Sequence, residues 1–183
     1  YSRLNNPNLQ IFEDRIAAWD RSEAGATFSS GMAAISTAVL ALVSPGEVVV
    51  TTVPVYGGTH YLFQIVLARL GIEVRTVPAG DGAAEQMARV AREAGAERVR
   101  MLFVETPANP SLAHTDVAAV VALARELAAA HGAPVYTAVD NTLLGPVFQR
   151  PAAAGADLVL YSATKFIGGH SDLVAGVATG RAE

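Results

Sequence analysis

Short runs of apolar residues alternate along this chain with longer stretches in which apolar positions recur every three or four residues. The runs at 48–53, 72–77, 100–105, 134–139 and 157–161 are rich in Val, Ile and Leu and bounded by Gly, Pro or polar residues, so they predict strands. The stretches between them predict helices: 9–19 after an irregular polar start, 32–43, 59–70 with Gly71 as its stop, and one from the polar loop 79–82 to about 94. A long helix follows from Asp116, a good N-cap, to about 131. Helix 32–43 is apolar on nearly every side and is expected to be buried all round. Residues 44–47 read as a turn, and 146–155 as a short connection with a helical turn at 151–154.

Strands alternating with helices mean a layered α/β domain with a mainly parallel sheet. No repeat, low-complexity tract or linker divides the chain, so residues 1–183 read as one domain. In such sheets ligands gather beyond the carboxyl ends of the strands. That rule selects Tyr56, the segment from Glu105 to Asn109, Asp140, and the segment from Ser162 to Lys165.

Composition removes other classes of function. At 183 residues the chain can bury a full core, and 51% of it is hydrophobic. The net charge is −4 and the arginines are dispersed, leaving no basic stripe for nucleic acid. No apolar stretch of the roughly 18 residues that span a membrane escapes interruption by Gly, Pro or charge. Cysteine is absent, which excludes disulfides and thiolate metal sites, and His60, His114, His131 and His170 lack ligand spacing. A cytoplasmic setting is the default expectation. Tyr1 stands where an initiator methionine would, and the chain stops abruptly at Arg181-Ala182-Glu183, so a piece of a longer protein is expected.

Lys165 is the only lysine among thirteen lysines and arginines. Arginine is never deprotonated in a protein, whereas a lysine amine can lose its proton and attack a carbonyl. Asp140 ends a buried run, where a carboxylate is costly without a positive partner. It reads either as a cap or loop hydrogen-bonder, or as the partner of a protonated pyridine nitrogen. Ser162 and Thr164 point to one side of an extended segment and could share an anion, though each is also an ordinary turn hydroxyl. Ser30, Gly31 and Met32 open a helix whose free N–H groups suit a phosphate, unless they are a plain serine cap with glycine beside it. Tyr56, beside Gly57 and Gly58, could stack on a flat group or simply fill a turn. Asn109 is an amide in a proline-stiffened loop, or a turn asparagine. The glycine fingerprint of a dinucleotide-binding fold is missing, which counts against a nicotinamide enzyme of similar layer pattern.

Tyr1-Ser2-Arg3, Ser30-Gly31-Met32, Tyr56-Gly57-Gly58-Thr59, Glu105-Thr106-Pro107-Ala108-Asn109-Pro110, Val139-Asp140-Asn141-Thr142 and Ser162-Ala163-Thr164-Lys165 occur in this order across the whole chain. Together they resemble the pyridoxal-phosphate enzymes of cysteine and methionine metabolism, which include cystathionine γ-synthase, the cystathionine lyases, methionine γ-lyase and the O-acylhomoserine sulfhydrylases. The resemblance implies the three-layer α/β/α large domain of fold-type-I enzymes, like that of aspartate aminotransferase. It implies pyridoxal 5'-phosphate held in a Schiff base by Lys165, with Asp140 on the pyridine nitrogen. Ser30, Gly31, Met32, Ser162 and Thr164 would surround the phosphate. Tyr56 would stack on the ring and serve as acid or base, and Asn109 would bond the ring's phenolic oxygen. Tyr1 and Arg3 would reach a neighbouring subunit's phosphate, implying a homodimer or homotetramer with shared sites. The substrate would be a small amino acid, sulfur-containing or an O-acylated homoserine, and the reaction a C–S or C–O lyase step. The alternatives are γ-replacement by a thiol, or a truncated, non-catalytic chain that binds only cofactor or subunits. Two departures stand out: the family's C-terminal domain with its substrate-carboxylate arginine is not found, and Gly58 stands where methionine γ-lyases commonly carry cysteine.

Overall fold

A computed structural model describes residues 6–182. In chain order the elements are α1 (Pro7–Asp20), β1 (Ala24–Phe28), α2 (Gly31–Leu42) and β2 (Val48–Val53). Helix α3 (Gly57–Tyr61) then runs through a π-helical stretch (Leu62–Val66) into α4 (Leu67–Arg69), followed by β3 (Glu73–Pro78) and α5 (Ala83–Ala94). Strand β4 (Val99–Glu105), α6 (Val117–His131), β5 (Tyr136–Asp140), α7 (Gly145–Phe148), a 3-10 turn (Pro151–Ala154), β6 (Leu158–Ser162) and β7 (Gly176–Gly180) complete the fold. Asp116 caps α6 as expected, accepting the Ala119 N–H at 3.1 Å, and Gly132 closes it in the left-handed conformation.

The strands form one sheet in the order β1-β7-β6-β5-β4-β2-β3, in which β7 alone runs against the rest. Alternate residues of the central strands feed two cores. Val48 and Val50 of β2, with Leu102 and Val104 of β4, pack against α5 and α6. Val49, Met101 and Phe103 point the other way, against Ile35 and Val39 of α2 and Leu62, Phe63 and Leu67. Helix α1 joins the α5 and α6 side, where Ile16 meets Val159 and Tyr161. Helices therefore cover both faces, giving the three-layer α/β/α architecture.

Three expectations need correction. Strands β1 and β7 are absent from the hydrophobic pattern, because their Ala, Gly and Thr residues lack the β-branched runs of the interior strands. Helix α7 fills part of the stretch read as plain connection. Helix α2 is not buried all round: its inner face is, but Leu40 is 47% exposed on the outside, since an outer-layer helix turns only one stripe to the sheet.

Candidate active site

Strand β6 ends directly beneath the start of α2. A Cβ on Gly31 would lie 2.6 Å from Ser162 Cβ, so only glycine lets the helix approach the strand this closely. Gly176 of β7 supports the same corner, where an added Cβ would fall 2.1 Å from the Ser30 carbonyl oxygen. Gly31 is thus required by packing against Ser162, which in turn brings a serine hydroxyl beside the helix amino terminus. Ser30 is the N-cap, its Oγ accepting the Ala33 N–H at 3.0 Å. The N–H groups of Gly31 and Met32, earlier in the first turn, have no intrahelical acceptor. The hydroxyl of Thr164 is engaged with the Ala175 backbone, donating to its carbonyl at 3.2 Å and accepting its N–H at 3.1 Å. In the described chain Thr164 therefore ties together the loop that follows β6.

Two acids end adjacent strands, for Glu105 of β4 and Asp140 of β5 are register partners. Asp140 Oδ1 accepts from the Thr142 hydroxyl at 2.6 Å and the Thr142 N–H at 3.1 Å, and Thr142 Oγ1 accepts the Ser162 N–H at 2.8 Å. Among the described residues Asp140 has no cationic partner. Burial raises its pKa above the usual carboxylate range despite the Thr142 bonds. Glu105 accepts the Tyr56 N–H on one oxygen and the Asn109 N–H on the other, each at 2.7 Å. Burial pushes its pKa up to about 7, with the charge of Asp140 adding to the rise and the two N–H bonds opposing it.

These elements enclose a cavity of about 220 Å³ at the carboxyl ends of β2, β4, β5 and β6. Ser30, Gly31, Met32, Tyr56, Asn109, Asp140, Ser162, Thr164 and Lys165 all line it. Lys165 sits in the turn after β6, its backbone N–H bonded to the Ser162 carbonyl at 3.1 Å. Tyr1 and Arg3 lie outside the described residues. Glu105, Thr142, Leu143, Ile35 and Val174 line the cavity as well, though no role was expected of them from the sequence. The strand-end rule had already selected Glu105 without assigning it a task, while Thr142 is visible only through its hydrogen bonds. The four histidines are all exposed and none lines the cavity.

The model of the Cys/Met metabolism pyridoxal-phosphate-dependent enzymes matches residues 1–183. The chain belongs to this family. It is 44% identical over 178 residues to cystathionine beta-lyase MetC of Bacillus subtilis (strain 168), covering 97% of this chain and 42% of that protein. It is 39% identical over 181 residues to L-methionine gamma-lyase of Pseudomonas deceptionensis, covering 99% and 43%. The crystal structure of metB from Corynebacterium glutamicum superposes with a TM-score of 0.87 at 35% identity, over 99% of this chain and 44% of that one. The chain thus spans less than half the length of these relatives.

The cavity suits the family's cofactor. A buried acid with no cationic partner among the described residues fits a protonated ring nitrogen, a capped helix start with two N–H groups lacking an intrahelical acceptor fits a phosphate, and the single lysine lines the same space.

Proposed function

We propose that this chain is the cofactor-binding large domain of an enzyme that cleaves a C–S or C–O bond in sulfur-containing or O-acylated homoserine-type amino acids. The carrying observation is that the sole lysine and a buried acid lacking any described cation share one cavity with a helix amino terminus. Pyridoxal phosphate, when bound, supplies an electron-accepting ring that stabilises negative charge on the substrate's Cα. Lys165 Nζ would hold it covalently and, once released by an incoming amino group, carry the Cα proton. Asp140 would keep the ring nitrogen protonated, with Thr142 fixing its carboxylate. The N–H groups of Gly31 and Met32 and the Ser162 hydroxyl would bind the phosphate, joined by Thr164 if its hydroxyl turns from Ala175. Tyr56 would cover one face of the ring and act on the leaving group, and Asn109 would bond the phenolic oxygen.

Thiol addition in place of hydrolysis uses the same residues, so γ-replacement stays the second reading. Gly58 bears on the choice of substrate: a Cβ there would meet the Tyr56 ring at 2.7 Å and the Met32 sulfur at 2.9 Å, so a cysteine would displace the ring. Tyr1 and Arg3 are proposed to serve the phosphate of a neighbouring copy in a homodimer or homotetramer, and the setting is proposed to be cytoplasmic. The test is an assay of the full-length protein with cystathionine, methionine and O-acylhomoserine. A 2-oxo acid and ammonia are expected for elimination, and a thioether product for replacement. Absence of yellow cofactor, or of turnover with all three, would overturn the reading.

A further inference from the structure

Glu105 is the cavity acid to which the chemistry above assigns no task. It is only 4% exposed and lies beside Asp140, so an ionised carboxylate here is expensive, and its pKa near 7 reflects that. Its geometry explains why an acid is nevertheless used. Its two oxygens face two donors from different loops, the Tyr56 N–H after β2 and the Asn109 N–H after β4, each at 2.7 Å. Only an acceptor with two lone-pair oxygens satisfies both, because an amide in its place would turn N–H toward N–H. Tyr56 opens α3 with no side-chain cap, so Glu105 is the contact that ties its backbone to the sheet.

We propose that Glu105 is a positioning residue that locks the loops of Tyr56 and Asn109 to one strand end, and so sets the plane in which the cofactor ring lies. The inference rests on the cofactor reading above. It touches a different property: the orientation of the ring, not its presence.

The test uses the full-length chain loaded with pyridoxal phosphate. Glu105→Gln should raise the cofactor's dissociation rate roughly tenfold, the effect of one lost charge-assisted hydrogen bond, and change its visible circular dichroism. In a Tyr56→Ala/Asn109→Ala background the same substitution should add less than about twofold. A Glu105→Gln protein matching the parent in both readouts overturns the proposal, as does an equal effect in both backgrounds. Hydrogen exchange on the unsubstituted protein covers the case in which the variant does not fold. The Tyr56 and Asn109 amides should exchange roughly tenfold slower than those of their exposed neighbours Gly57 and Ser111, and equal rates overturn the clamp. A parent that takes up no cofactor removes the functional reading and the clamp together, whereas a parent that binds it beside an unaffected Glu105→Gln variant removes the clamp alone.

Discussion

The two ends of the sheet treat acids in opposite ways. At the amino ends of the parallel strands three acids have arginines. Glu47 meets Arg100 at 2.7 Å, Glu73 meets Arg98 at 2.6 Å and also Arg75, and Asp157 meets Arg181. Hydrogen bonds from Arg98 and then Arg75 hold the Glu73 pKa below the usual range. At the carboxyl ends, Glu105 and Asp140 have only N–H and hydroxyl donors, and burial raises both. The amino end pairs its acids Glu47, Glu73 and Asp157 with arginines. The carboxyl end leaves two buried acids beside a cavity with no ion pair to either among the described residues, the pattern proposed above for a cofactor site.

The sharpest break of that contrast comes from Lys165. Lys165→Arg keeps the charge but not the nucleophilic amine, so turnover of the full-length enzyme should fall by roughly 10⁴-fold or more. Borohydride reduction of the parent should label one peptide, the one containing Lys165, and should label none in the variant. Wild-type turnover in Lys165→Arg would remove the covalent role.

Next in size is Asp140→Ala, which should slow turnover by about 10²- to 10³-fold while weakening cofactor binding far less, since the phosphate contacts remain. Steady-state rates set against a cofactor titration separate the two. Equal losses in both would make Asp140 a binding group only.

A smaller effect is expected in the cofactor-free protein. A carboxyl whose folded pKa is raised stabilises the fold below its ordinary pKa, and that contribution is lost as pH rises through the folded value. For Glu105 the window runs from 4.5 to about 7. The stability difference between Glu105→Gln and the parent should therefore shift in favour of the variant across this window, by at most about 3 kcal/mol. Asp140 shares the cavity and is raised in the same direction, while Tyr56 and Lys165 are its other titratable lining groups, so the paired difference is the quantity to read from urea titrations at each pH. A flat difference would mean that Glu105 is ionised throughout.

The smallest effect belongs to the amino end, and it has the opposite sign. Glu73→Gln should cost no more than about 1 kcal/mol at neutral pH. Because its pKa is depressed, the loss should be present above about 4.5 and vanish as pH falls below it. A stabilised Glu73→Gln protein would show that the two ends are not distinguished as described.

The interior strands were legible because β2, β4 and β5 are buried on both faces and so read as mainly apolar, β-branched-rich runs. The site followed from the strand-end rule, which gathered Tyr56, Asn109, Asp140 and Lys165 from distant parts of the chain. Strands β1 and β7 carried no such signal, and Gly176 looks like any loop glycine until the Ser30 carbonyl is placed against it. Glu105 was visible as a strand-end acid but not as a clamp. Its donors are backbone groups, one of them 49 positions away, and backbone donors leave no mark in a side-chain pattern.

Strand β7 also governs when the site can exist during synthesis. It pairs with β1 from far earlier in the sequence, and the Thr179 hydroxyl donates to Asp20 across 159 positions. Closing so long a loop costs entropy before any contact offsets it. The α2 amino terminus precedes Gly176, on which it rests, by about 145 positions, so it waits for β7 before its floor arrives. The corner shared by Ser30, Ser162 and Gly176 is therefore tied to β7. Any halt in translation before residue 176 would leave a helix start and a lysine without the corner that joins them.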